Sequence, residues 1–266
     1  MTMLNGAEEK TSRGVRSTTF AYHEVAPPHQ LSRYSVSIER FASHVELFSQ
    51  LVQRAQMVPV VTFDDGHMSN YTYALPALSG RSIKAIFFIT TGHIGVKRDF
   101  MGWTEVRELA KAGHSIQAHG WSHCFLPGCS DTQLELELHR ARLLLEDKLG
   151  SPVNELSLPG GRYDDRILNE IAKAGYQRVY SSEAWAHRQV CDSLELVGRV
   201  MVRRDMTTSR MRALAHQTPV AKLRVNVEDA VRRAGRSMLG NENYHRVWSV
   251  LSGRQAAPSS LTNGRD

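Results

Sequence analysis

The sequence has little of what would mark a secreted, disulfide-built or membrane-spanning chain. It holds three cysteines, Cys124, Cys129 and Cys191. That number is odd and too small for a disulfide framework, so a reducing compartment is expected. Its apolar runs are short, as at Ile86 to Ile89 and Leu143 to Leu145, well below the ~20 residues a membrane-spanning helix needs. The opening stretch MTMLNGAEEKTSRG has no apolar segment behind its charges and does not read as a secretory signal. The expected location is the cytoplasm. No internal repeat or low-complexity tract is evident.

What remains is an ordinary globular balance, 41% hydrophobic and 23% charged, in 266 residues. A chain of that size accommodates one large domain, or one domain with an appendage. The net charge of +6 is unevenly placed. From Met201 to Asp266 there are 12 basic against 5 acidic residues, whereas the first two hundred are close to neutral. A basic tail containing Arg232, Arg233 and Arg236 suits either a solvated helix or peripheral contact with the anionic inner face of a membrane. It lacks a nucleic-acid-binding motif or interleaved aromatics, and no nucleic-acid partner is expected.

Along the chain, strands alternate with helices. Thr18 to Val25 reads as a strand. Ile38, Phe41, Val45, Phe48 and Val52 recur at helical spacing after Ser37, a helix cap. Further strands are predicted over Met57 to Thr62, Ile83 to Thr90, His114 to Ala118, Glu155 to Leu158, Arg178 to Ser182 and Leu196 to Val202. Helices are predicted from Thr104 to Ala112, from the Ser130/Gln133 capping box to Lys148, and after Asp164 up to Gly175. This alternation implies a mostly parallel sheet with helices outside, in which chemistry collects at the carboxyl ends of the strands. Asp64 and Asp65, His119 and His123, the Pro159-Gly160-Gly161 turn and His23 all fall at such ends.

Those residue types suggest a metal hydrolase. His119 and His123 are four apart, a spacing that would bring both rings to one side of a helical turn. Two imidazoles and one carboxylate form the donor set of a catalytic zinc site with an open position. If Asp65 ligates the ion, Asp64 is left to take a proton from the attacking water. Neighbouring residues of a regular strand face opposite ways, so the strand must end here, and Gly66 permits the bend.

TFDDG, then HGWSH, then LPGGRYD resembles the polysaccharide deacetylase family, carbohydrate esterase family four, or the NodB-homology domain. The likeness extends from about Thr18 to Val200. It implies a distorted (β/α) barrel and removal of acetyl groups from N-acetylated sugars with one divalent metal, Zn²⁺ being the expected ion. It makes Asp64 the catalytic base and Asp65, His119 and His123 the ligands. The family's arginine is missing at position 157, where this chain has Ser157, and its aromatic wall is replaced by Gly160. The Gly160 N–H remains a candidate oxyanion donor. Arg162 is read as part of a turn into the Asp164 cap. The family's Asp-x-x-Asp-Trp motif has at best a remnant in Ser182 to Trp185, and its carboxyl-terminal histidine motif is absent. His23, in Phe20-Ala-Tyr-His23, resembles the acid histidine of circularly permuted members. His67 is its rival for the acid role.

Trp121, Tyr163 and His67 are candidates for the sugar site, alongside Trp103, with packing as the alternative role of the aromatics. Cys124 is read as a packed neighbour of His123 in preference to a fourth ligand. His216 is read as a surface residue. The expected organisation is a disordered segment 1–17, a catalytic domain 18–202, a basic helical extension 203–256 and a disordered tail 257–266. The expected activity is metal-dependent N-deacetylation of an amino-sugar polysaccharide or its precursor. The alternatives are hydrolysis of another C–N bond, as in a cyclic imide or ureide, and a non-catalytic sugar-binding relative.

Overall fold

A computed structural model describes residues 17–231 apart from 33, 55 and 56. Arg232, Arg233, Arg236, the expected tail and nearly all of the expected disordered amino terminus lie outside the described residues. Strands β1 (Thr19–Tyr22) and β2 (Glu24–Ala26) are separated at His23, and β3 (Ser35–Ser37) leads into helix α1 (Ile38–Gln53). Next come β4 (Val60–Phe63), a π-helical turn over Asn70–Ala74, α2 (Leu75–Ser79), β5 (Ala85–Ile89), α3 (Trp103–Lys111) and β6 (Ser115–Ala118). A helical run then comprises α4 (Asp131–Leu134), a π-helical segment Glu135–Arg140 and α5 (Ala141–Leu149). The remainder is β7 (Glu155–Ser157), α6 (Asp165–Lys173), β8 (Arg178–Ser181), β9 (His187–Cys191), β10 (Leu194–Gly198), β11 (Val200–Met201) and α7 (Thr208–Ala215). A further helical segment covers residues 219–231.

The main sheet has the order β11-β1-β4-β5-β6-β7-β8-β10-β9. Every pairing in it is parallel except β10 with β9. β2 and β3 form a separate parallel pair. The sheet curls into an open barrel, giving the expected distorted β/α architecture. Its seam is crossed between β10 and β11, and a groove there is lined by Thr19, Val60 and Val200 from one edge and Tyr180, Glu195 and Gly198 from the other.

The helices begin where the sequence predicts. The Ser37 side chain accepts from the Arg40 N–H, Ser130 and Gln133 form a reciprocal capping box, and Asp164 accepts from the Ile167 N–H. α1 buries Phe41, Val45, Leu47, Phe48 and Leu51 against the sheet. Val52 is exposed, because Leu51 occupies the inward position at that turn. Phe63 stacks on Phe87 at 4.9 Å and on Tyr22 at 5.4 Å, tying β1, β4 and β5 together just below their carboxyl ends.

A buried histidine joins this core. His44 Nε2–H donates to the Met206 carbonyl at 3.0 Å, so its Nδ1 is the acceptor for the Tyr22 hydroxyl at 3.1 Å. Burial, opposed by the Met206 contact and aided by Arg40, pulls its pKa from 6.5 down to about 4. The neutral ring is the folded form, so its contribution is complete above pH 6.5 and is lost as pH falls towards 4. That loss amounts to roughly 3 kcal/mol. Urea unfolding of the wild type and of His44→Gln should differ in pH dependence across that window, the variant showing the shallower fall.

Candidate active site

The adjacent carboxylates at the end of β4 are held in different ways. Asp64 continues the ladder, its N–H donating to the Tyr22 carbonyl at 3.0 Å. Asp65 then adopts φ 76°, a left-handed conformation that costs a non-glycine residue roughly 1–2 kcal/mol. That reversal turns both carboxylates to the same end of the barrel, against the alternation of a regular strand.

His119 and His123 are brought together by a route other than the helical turn expected from their spacing. Residues 119–123 form an irregular loop after β6, with Gly120 at φ 75° and His123 at φ 64°. A side chain at Gly120 would be strained at that φ and would come within 2.6 Å of Glu137 Oε2. The rings meet with centroids 5.0 Å apart. Both Nε2 atoms face the same oxygen, Asp65 Oδ1, at 3.3 Å from His119 and 3.2 Å from His123.

The donor atoms of Asp65, His119 and His123 lie within 4.8 Å of one another. His119 Nδ1–H donates to the Ser157 carbonyl at 2.8 Å, which leaves Nε2 as the lone-pair nitrogen facing Asp65. Asp65 Oδ1 is buried and makes no hydrogen bond to any described residue. A buried carboxylate oxygen without a hydrogen bond, beside two imidazoles of which His119 has a fixed tautomer, fits a divalent cation. Burial opposes ionisation of Asp65, but His123 and His119 outweigh it and hold its pKa well below the usual range.

Asp64 is built to another plan. It is 2% exposed and receives both arms of the Arg199 guanidinium, Nη1 to Oδ1 at 2.7 Å and Nη2 to Oδ2 at 2.8 Å. Ser157 Oγ–H donates to Oδ2 at 3.1 Å and itself accepts from Arg199 Nη2 at 2.8 Å. Arg199 Nη1 also donates to Thr62 Oγ1 at 3.1 Å. Burial raises the Asp64 pKa, yet Arg199, followed by His119 and His23, brings it down to about 2. Ser157 thus serves both halves of the site, fixing the His119 ring through its carbonyl and the Asp64 carboxylate through its hydroxyl.

Arg199 is the residue that sequence reading missed. It lies at the seam crossing between β10 and β11, 1% exposed, with its guanidinium carbon 5.4 Å from the Phe88 ring centroid and 5.7 Å from that of Tyr180. One side chain therefore touches residues of β4, β5, β7 and β8, which requires the curl of the sheet. Ser157 stands at the position read above as lacking an arginine, and Arg199 reaches both it and Asp64 from the β10–β11 crossing. Arg162 stacks over Phe125 at 4.1 Å. Phe125 in turn covers Gly160, at φ 65°, where a Cβ would strike the ring.

Glu137 was also passed over. From the π-helical segment between α4 and α5 its buried carboxylate accepts from the Trp121 N–H at 2.7 Å, the Ser122 N–H at 3.1 Å and the Ser122 hydroxyl. These bonds brace the loop that carries both histidines. Glu137→Gln would set an amide NH₂ against a donor, so if the donor set holds a divalent cation, the variant should retain that ion about 10–100-fold more weakly. Competition with a chelator measures this, and unchanged retention would leave Glu137 with no part in holding the loop.

The remaining candidates are distributed around this centre. His23 sits at the break between β1 and β2, its ring 5.2 Å from that of Tyr34, and its charge acts on both Asp64 and Asp65. Its carbonyl accepts from Asn70 Nδ2 at 2.8 Å. His67 Nδ1 is engaged by the Ser69 hydroxyl at 2.8 Å, and its ring packs edge-on to Phe100. Trp121 packs against the backbone of Gly92, Trp103 packs against the core, and Tyr163 donates to Glu183 at 2.9 Å. His216 is exposed at the end of α7. His93 adds a group not singled out from sequence: burial, then Lys97 and His123, keep it neutral with a pKa of about 4.

The polysaccharide deacetylase profile matches residues 52–179, which include β4 and its two carboxylates, both histidines, Ser157 and Gly160. Over these residues the chain is similar to the polysaccharide deacetylase family. YxkH of Bacillus subtilis is 25% identical over 194 residues, covering 66% of this chain and 68% of its own. A peptidoglycan-N-acetylglucosamine deacetylase of Bacillus cereus is 29% identical over 129 residues, 48% of this chain and 58% of its own. The Streptococcus pyogenes deacetylase PplD, solved with acetate, has the same fold with a TM-score of 0.66 at 19% identity, covering 76% of this chain and 98% of that one. No helix among the described residues is long and apolar enough to cross a membrane.

Proposed function

We propose that the chain is a metal-dependent carbohydrate N-deacetylase, hydrolysing the amide of an N-acetylated amino sugar in a polysaccharide or its precursor. The observation that carries this reading is a division of labour between neighbours. Asp65 Oδ1 faces two imidazole nitrogens and makes no hydrogen bond to a described residue, while Asp64 is fixed separately by Arg199 and Ser157. The peptidoglycan deacetylase likeness supports the sugar-amide substrate class.

Asp65, His119 and His123 would hold the ion. Bound there, a zinc or similar cation supplies a Lewis acid for the acetyl carbonyl and acidifies the attacking water. Asp64 accepts the proton of that water. A carboxylate held at about 2 is ionised throughout the neutral range, but it is a weak acceptor on its own. It therefore works only on water already made acidic, which is why base and cation site are built side by side. The Gly160 N–H donates to the oxygen that gains charge. His23, at the mouth of the first strand, returns a proton to the departing amine. Its position ahead of the Asp64 strand supports the circularly permuted type.

Acetate release from a panel of N-acetylated saccharides tests this directly. The metal-depleted protein should be inactive, and adding back one equivalent of Zn²⁺ should restore turnover. Turnover of cyclic imides or ureides with none of the sugars would assign the other C–N chemistry. Saccharide binding without acetate release, with metal bound, would assign a sugar-binding relative.

A further inference from the structure

Two of the three cysteines are paired by the fold. Cys124 immediately follows His123, and its Sγ lies 2.7 Å from that of Cys129. The intervening residues close on themselves in a tight turn, Gly128 N–H donating to the Phe125 carbonyl and Cys129 N–H to that of Leu126, each at 3.0 Å. Cys129 is further anchored by Arg166 Nη2, which donates to its carbonyl at 3.1 Å. Cys124 is half-buried, Cys129 is buried, and Cys191 lies on an exposed strand elsewhere. Neither paired sulfur belongs to the Asp65, His119 and His123 donor group, so a fourth ligand is not what brings them together.

We propose that Cys124 and Cys129 form an intrachain disulfide, taken from a low-molecular-weight disulfide by exchange, which braces the loop behind His123. The Cys124 sulfur, the more accessible, attacks one sulfur of a reagent such as oxidised glutathione. The reagent S–S bond breaks and one glutathione thiol leaves. The Cys129 sulfur then attacks the Cys124 sulfur of that mixed disulfide and releases the second glutathione thiol. The two protein thiols lose two electrons and two protons, and the reagent gains both. Bond formation from the present separation needs a shift of under ~1 Å, which the four-residue turn already accommodates. The resulting ring ties the residue after His123 to the start of α4, limiting the freedom of a ligand that holds a left-handed conformation.

Mass mapping tests the pairing without reference to activity, so its outcome is separate from that of the deacetylase reading. The folded full-length chain is equilibrated with oxidised glutathione, alkylated and cut with trypsin. Both cysteines fall in one fragment, residues 112–140, which has no internal Lys or Arg. The expected fragment is unalkylated and two hydrogens lighter, and it stays joined after further cleavage behind Phe125, while Cys191 is alkylated. Alkylation of Cys124 and Cys129 under those conditions, a stable glutathione adduct on either, or pairing of either with Cys191 would overturn the proposal. For the bracing role, the oxidised chain should melt several degrees above the reduced one, and Cys129→Ser should abolish that difference. Equal melting of the two forms of the wild type would refute the bracing.

Discussion

Asp64→Asn should lower kcat by about 10³-fold while the protein still binds one equivalent of Zn²⁺. General-base contributions commonly fall within about 10²–10⁴. Asp64 lies outside the group of donor atoms formed by Asp65, His119 and His123, so the variant keeps all three ligands. Asparagine retains one acceptor oxygen for Arg199 but turns an amide NH₂ towards a second donor, so some stability is lost as well. Metal content and melting temperature separate that loss from the catalytic one. Asp65→Asn should behave differently, losing metal and turnover together. A variant at position 64 within tenfold of the wild-type kcat would remove Asp64 from the role of base.

The second large effect is expected at Arg199. Arg199→Met removes the only cation that pairs with Asp64 among the described residues and leaves a buried carboxylate behind, which typically costs about 3–5 kcal/mol. The Asp64 pKa then rises from about 2, because burial is no longer outweighed by the guanidinium. In the wild type this pairing contributes stability that is present above pH 3.8 and is lost as pH falls towards 2, about 2 kcal/mol in all. In the variant, the acid limb of the kcat/KM profile should move to higher pH. The double change Arg199→Met with Asp64→Asn should be more stable than Arg199→Met alone, since it removes the orphaned charge. Additive destabilisation instead would mean that Arg199 acts by filling space.

Much of the candidate site could be read because its chemistry is packed into short segments. Asp64 and Asp65 are adjacent, His119 and His123 are four apart, and both sets end a strand. The geometry joining the histidines was misread, because spacing alone cannot distinguish a helical turn from a loop whose Gly120 and His123 both take positive φ. Arg199 was hidden for a different reason. It is 135 positions from Asp64 and stands in a two-strand crossing that carries no motif. Only the curl of the sheet, a property of nine strands together, brings it across. Glu137 looked like one more acid on an amphipathic helix, and its inward turn depends on the π-helical segment around it. Most strands and helix caps were legible from local patterns, but Thr18 to Val25 and Leu196 to Val202 each divide into two strands, and β3 and β9 had no clear signal.

The seam crossing also bears on how the protein is made. The ribosome delivers Asp64 well before Arg199, so the inner strands can assemble while Asp64 still lacks its guanidinium partner. A nascent chain that stops before Arg199 lacks both β11 and the guanidinium that faces Asp64. Such a long-range closure is a late and slow step in folding. On the deacetylase reading proposed above, hydrolytic competence would await the synthesis of that crossing, and fragments released earlier should be inert.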